Sequence, residues 1–334
     1  MYDKLSELIK KRTEESHKTY GFREDHNPRI PADWWFQNSI EGPVLFIVFY
    51  TQACRWAKCL GCNLPSKVSQ HHVDYRNIIK QIDFIFNHLL SKRQKQDLKK
   101  IIISNNGSVL DEETLSTTAL LYFIAQMNIH CRNISVLTIE SRAEYVDMPE
   151  CEVIHRAIQE GKSPTELEIA IGFEAFDDEI RNKHFNKGLG LDVFENLVKM
   201  LAQYKFKLKT YFMLKPVPGL SEEAAINDIA EGIRYLDRIS KKFGLQINMH
   251  LNPTFVAKGT PLEDAFREGK YTPPKLESVR KAILTAESTS ITLFAGLNDE
   301  GLAVPGGSFI QEGDEELINL LEEFNRTQDF DLLK

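Results

Sequence analysis

Cysteine is scarce in this chain, with five in 334 residues. Three of the five crowd into one short stretch, which excludes the paired framework of a disulfide-stapled secreted domain. Long apolar runs are missing as well. No stretch approaches the roughly 18 residues of a membrane span. The opening Met1-Tyr2-Asp3-Lys4 is not followed by an apolar signal region, so the expectation is a cytoplasmic protein in a reducing compartment, with no membrane partner. Positive charge is not in excess either. Forty-one basic residues against 48 acidic ones give a formal charge of -7, which excludes a general nucleic-acid coat and leaves only a local patch for RNA. The best such patch is the charged segment 91–100, with Lys92, Arg93, Lys95, Lys99 and Lys100. A further absence concerns glycine. No dinucleotide fingerprint follows the first apolar strand, where a Rossmann domain carries one.

What the chain does have is a repeated alternation of strand and helix. Apolar runs at 44–50, 101–103, 134–139, 167–171, 204–214, 244–251 and 291–295 read as seven strands. Helical spacing fills the stretches between them at 74–90, 112–128, 145–159, 193–201, 221–243 and 276–286, with Ser221 as an N-cap, and a last helix spans 315–325. Residues 1–20 begin with a surface helix, 21–43 are polar and turn-rich, 91–100 is a solvated loop, and a long polar loop runs on from Asn252 to Pro274. Strands that are apolar throughout argue for a parallel sheet covered by helices. The expected fold class is α/β: a partial (β/α)6-type TIM-like barrel at 44–290, an N-terminal extension at 1–43 packed on it, and a C-terminal strand, glycine-rich loop and helix at 291–334 completing the same domain. Chemistry in such a barrel is built at the carboxyl ends of the strands. The cysteines, 105–108, Glu140, Glu174, Lys215 and Asn252 all fall at those ends.

The cysteines are spaced Cys54-x4-Cys59-x2-Cys62, directly after the first strand. Three thiolates suit an iron–sulfur cube with one iron left open, whereas structural zinc normally wants a fourth ligand, here a distant histidine. Plain burial of the thiols is the remaining alternative. Cys131 and Cys151 lie far from the triplet and read as buried thiols.

The triplet resembles that of the radical S-adenosylmethionine superfamily, with one more residue between the first two cysteines than its commonest spacing. Further blocks resemble a branch that includes the archaeosine-synthesis radical enzyme and, more distantly, the elongator catalytic subunit. These are Asn105-Asn106-Gly107-Ser108-Val109-Leu110-Asp111, Glu140-Ser141-Arg142-Ala143-Glu144, Gly172-Phe173-Glu174 with Asn186-Lys187-Gly188, the strand ending Lys215-Pro216, and Leu251-Asn252-Pro253. The resemblance spans roughly 44–310 and implies the following assignments. Cys54, Cys59 and Cys62 ligate a [4Fe-4S] cluster. Asn106, Gly107 and Ser108 hold the methionyl amino group of S-adenosyl-L-methionine, Glu140 its amino or ribose hydrogens, and Arg142 its carboxylate. Glu174 takes the ribose or the substrate, Asn252 the adenine, and Lys209 and Lys215 lie near cofactor or substrate, with Glu174 and Lys215 as the catalytic candidates. The implied activity is reductive cleavage of the cofactor to a 5′-deoxyadenosyl radical, with a modified 7-deazaguanine base or tRNA as substrate. Implied partners are a small reductant protein such as flavodoxin or ferredoxin, and tRNA or a tRNA-modifying enzyme. A radical enzyme for a small metabolite and a zinc-binding scaffold are the alternatives. There is no second cysteine cluster of the kind sulfur insertion uses, and no appended segment that reads as an RNA-binding module.

Overall fold

The computed structural model describes residues 2–334. Eight strands form one sheet in chain order: β1 Asp33–Ser39, β2 Gly42–Val48, β3 Lys100–Ser104, β4 Val136–Ser141, β5 Glu166–Glu174, β6 Lys207–Leu214, β7 Ile247–Pro253 and β8 Thr292–Ala295. β1 and β2 make an antiparallel hairpin, whereas β2–β3, β3–β4, β6–β7 and β7–β8 pair in parallel. Parallel neighbours need a crossover. Helices supply it: α2 Tyr75–Phe84 with α3 Lys92–Asp97, α4 Thr117–His130, α5 Met148–Ile158, α6 Leu191–Tyr204, α7 Glu222–Phe243, and α8 Pro261–Arg267 with α9 Leu276–Leu284. α1 Tyr2–Glu15 precedes the sheet and α10 Glu315–Thr327 follows it. The fold is the α/β partial barrel that the sequence pattern implied. Among the described residues no helix is long and apolar enough to cross a membrane.

The chain divides into two compact units, the first holding residues up to 12, 21–57 and 64–170, the second 13–20, 58–63 and 171–334. In the first unit β2 is buried from Val44 to Val48 and β3 along its whole length, as strands covered on both faces must be. The exception in kind is Lys100. Its ammonium sits against Glu168 at 2.7 Å and Glu41 at 2.9 Å, and Thr138 donates to the same Glu168 carboxylate at 2.6 Å, so a charge inside the sheet is fully paired. Lys100 is 2% exposed, which removes it from the solvated patch expected at 91–100. That segment is not a loop either. Ser91 and Gln94 close a capping box over α3.

One other expectation fails in this unit. Residues 33–39, expected as turn-rich cover, are a strand, because Trp35 stacks on Phe46 at 4.1 Å and pairs with it in register. α1 is the amphipathic surface helix expected, with Glu7, Lys10, Lys11 and Glu14 exposed and the opposite face anchored. Ile9 is wholly buried, Ser6 accepts from the Gln52 amide at 3.1 Å, and Arg12 donates to the Arg55 carbonyl at 2.6 Å.

In the second unit the face of β6–β8 carrying Leu208, Phe212, Ile247, Met249, Leu251 and Leu293 is buried. On the opposite face Tyr211, Met213, Asn248, Asn252 and Thr292 are half-buried, whereas Lys209, His250 and Phe294 are buried. α7 starts where expected, with Ser221 Oγ accepting from the Ala224 amide at 3.1 Å, and stops at Gly244, whose φ of 64° a glycine adopts without strain. The loop expected after Asn252 contains α8, which buries Leu262 against Val256 and Tyr271.

Candidate functional site

The first unit brings Cys54 together with the turn after β3. A Cβ on Gly107 would lie 3.2 Å from the Cys54 Cα and 3.4 Å from both its Cβ and Asn105 Oδ1, so a larger residue would push the two segments apart by a few tenths of an ångström. Asn105 Oδ1 is buried and has no hydrogen-bond partner among the described residues, although its Nδ2 donates to the Ser108 carbonyl and Thr114 Oγ1. Asn106 holds a left-handed φ of 56°, which asparagine tolerates, and donates through Nδ2 to the Leu64 carbonyl at 3.2 Å.

The same turn is tied to the end of β4. The Val109 amide donates to the Glu140 carbonyl at 2.9 Å, and Ser108 Oγ accepts from the Arg142 amide at 3.0 Å. Glu140 is half-buried at the strand end. The Arg142 guanidinium pairs with Glu144 at 2.6 Å and lies 4.5 Å over the Trp56 ring. Asp111, which closes the Asn-Asn-Gly-Ser block, binds Arg55 through both carboxylate oxygens, the Nε–Oδ2 contact being 2.5 Å. Burial pushes the Asp111 carboxyl up, and the Arg55 guanidinium opposes it.

Cys59 and Cys62 belong to the second unit, at the ends of one turn in which the Cys62 amide donates to the Cys59 carbonyl at 3.2 Å. This turn is backed by Phe185, whose carbonyl accepts from the Leu60 amide at 2.8 Å, and by Leu262 against Gly61. At the end of β5, Glu174 stands at φ 76° and pairs with Lys187 at 2.6 Å. Both side chains lie where a Cβ on Gly172 would be. The Gly-Phe-Glu and Asn-Lys-Gly blocks are therefore one structure. Its loop is fixed by Arg181, fully buried and bonded to the carbonyls of Ala175, Phe176 and Leu189, and by Asp228, which takes the amides of Phe176 and Asp177.

Lys215, at φ 61° after β6, pairs with Glu222 at 2.9 Å and donates to Thr272 Oγ1, while Tyr271 donates to its carbonyl. Burial raises the Glu222 carboxyl, but hydrogen bonds from Ser278 and Lys215 outweigh it and hold the group below the usual carboxylate range. Lys209 is buried near the amino end of β6, donating to Asn248 at 2.6 Å, and Asn248 donates on to Thr292 at 2.9 Å. Asn252 lies beside Gly296, where any Cβ would collide with its Oδ1.

The residues sequence reasoning missed are Asp111, Lys187, Arg181 and Arg12. Asp111 and Lys187 stand inside the motif blocks, so their signal was present. Arg181 closes the acidic helix start Asp177-Asp178-Glu179-Ile180-Arg181, which the resemblance also covers, and only Arg12 carried no signal, since it looks like a charge on a solvated helix.

Among the described residues no group of three or more histidine, cysteine, aspartate or glutamate side chains is placed to hold a metal ion, and none of the five cysteines is in a disulfide. The donor chemistry nonetheless separates the cysteines. Burial pushes the Cys131 and Cys151 thiols up to about 12, which disfavours the thiolate a metal needs, whereas Cys54, Cys59 and Cys62 are half-buried. In the first unit, the half-buried Cys54 thiol, the unmet Asn105 acceptor and the cradle at Gly107 fit a thiolate ligand with an amine donor beside it.

No family model matches the chain. An uncharacterised protein of Methanocaldococcus jannaschii is 25% identical over 346 residues, 99% of this chain and 90% of that one. The archaeosine synthase subunit beta of Methanosarcina acetivorans is 28% identical over 269 residues, 77% of this chain and 72% of that protein. Among solved structures, a queuine lyase from Clostridium spiroforme bound to SAM and queuine shares the fold at TM-score 0.51 and 17% identity, over 81% of this chain and 98% of that one. The solved structure shows the fold. The link to the archaeosine synthases is a distant one.

Proposed function

We propose that the chain is a radical SAM enzyme acting on a modified 7-deazaguanine base or the tRNA that carries it. The observation that supports this best is the packing of the Gly107 turn on Cys54, which joins a thiol of the triplet to the block assigned to the cofactor's amino group. Cys54, Cys59 and Cys62 would ligate a [4Fe-4S] cluster. The Asn105–Gly107 acceptors, with Ser108, would take the amino group of S-adenosyl-L-methionine, Glu140 its amino or ribose hydrogens, and Arg142 its carboxylate through a planar fork. Asn252 is assigned to the adenine, and Lys209 lends charge to the same strand face. When bound, cluster and cofactor supply reductive homolysis of a sulfonium carbon–sulfur bond and hence hydrogen-atom abstraction.

Glu174 and Lys215 orient ribose and substrate at the ends of β5 and β6. Their left-handed backbones fit that assignment, because strain of order 1–3 kcal/mol persists where the surroundings over-determine it, often at functional sites. The distant archaeosine synthase relatives support a nucleobase substrate. A flavodoxin- or ferredoxin-type protein is the proposed electron donor.

The test is anaerobic incubation of the reconstituted chain with reductant and S-adenosylmethionine, with and without a cellular tRNA fraction. The expected result is 5′-deoxyadenosine whose yield rises with tRNA and falls with salt, since phosphate contacts release counterions. Product indifferent to tRNA and to free 7-deazaguanine bases would move the substrate to another small metabolite. No product from a chain holding its cluster would overturn the enzyme reading.

A further inference from the structure

Three segments of the first unit converge on the residues that follow Cys54. From α1, Arg12 donates to the Arg55 carbonyl at 2.6 Å, with its guanidinium 5.9 Å from the Trp56 ring. From the turn after β3, Asp111, 3% exposed, grips Arg55 with both oxygens. From the end of β4, Arg142 stacks on Trp56 at 4.5 Å, and beyond it the Tyr145 ring lies 4.9 Å from the Arg55 guanidinium. The next residue, Ala57, is held at φ 54°, a left-handed conformation that alanine does not choose unaided. Each contact is of a kind that fixes direction: a bidentate fork, a cation over a ring face, a main-chain acceptor. None of them needs a bound cluster.

We propose that Arg12, Arg55, Asp111 and Arg142 form a clasp that sets the Cys54 arm of the cysteine loop in place before any cluster is loaded. This rests on the reading of Cys54 as a cluster ligand. Arg55, Asp111 and Arg12 are positioning residues, acting through the loop. Arg142 has two uses, because stacking engages the face of its guanidinium and a carboxylate would meet its edge. α1, which carries none of the motifs, becomes part of the site's scaffold.

The experiment compares the full chain with Arg55→Met/Asp111→Leu and with Arg55→Lys. Replacing both partners avoids leaving Asp111 buried and unpaired, so the double variant is expected to keep the fold. In the cluster-free proteins, hydrogen exchange at the amides of residues 54–57 and 106–108 is expected to quicken about tenfold in the double variant, with an intermediate change for Arg55→Lys and α4 and α7 unaffected. After anaerobic reconstitution, the double variant is expected to lose iron about tenfold faster on dilution and to show a shifted electron paramagnetic resonance spectrum. Unchanged exchange at these amides overturns the clasp, whatever iron the parent holds. A parent that takes up no iron–sulfur cluster overturns the functional reading instead, and a double variant matching the parent in iron loss and spectrum overturns the link between clasp and cluster.

Discussion

Gly172 makes room for two charged side chains at once, and its neighbours show why the block around it reads as it does. Glu174 and Lys187 cross above its Cα, so Gly172→Ala should part the pair with little effect on the strand itself. The expected cost in stability is about 1 kcal/mol, and the activity loss should match that of Glu174→Gln. Equal activity of Gly172→Ala and the parent would remove the pair from the mechanism. The cysteines make a second prediction at this scale. With thiols pushed up to about 12, Cys131 and Cys151 should resist alkylation at pH 8 in the native, cluster-free chain, whereas Cys54, Cys59 and Cys62 are labelled. Mass spectrometry of the labelled peptides decides it, and labelling of Cys131 at the rate of Cys54 would contradict the account.

At the scale of elements, the sequence was readable where apolar residues repeat and opaque where charge is buried. The strands at 101–103 and 167–171 are runs of aliphatic residues, and the structure only lengthens them, to Lys100–Ser104 and Glu166–Glu174. β1 escaped notice because Asp33, Gln37, Asn38 and Ser39 flank its three aromatics without an apolar alternation, and its partner is set by register, not by composition. α3 and α8 are too short for periodicity to show. Lys100 looked like the end of a charged run, but it neutralises Glu168 inside the sheet. Lys100→Met should therefore cost about 3–5 kcal/mol in denaturant unfolding, since it strands a buried carboxylate. A loss below 1 kcal/mol would show that the pair is not closed. Of the candidate residues, the 105–108 turn, Glu140 and Glu174 stand at the strand ends where the sequence put them. Their supports were not legible, because Arg55–Asp111 and Arg142–Trp56 join residues distant in the chain and leave no local pattern.

At the scale of the whole chain, acid stability tests the Lys215–Glu222 tie. A carboxyl held below its unfolded range stabilises the fold above the unfolded pKa, and this contribution is lost as pH falls through the lowered folded value. The stability gap between parent and Glu222→Gln should be open at pH 7 and close in acid, below the ordinary glutamate range of about 4. A gap constant with pH would contradict it. The central claim, that Cys54, Cys59 and Cys62 share one cluster, is tested most directly by iron and sulfide content after anaerobic reconstitution. The account predicts a brown parent with about four irons, and Cys54→Ala, Cys59→Ala and Cys62→Ala variants with almost none. A colourless parent holding a single zinc, or a full cluster in any one of the three variants, would contradict it.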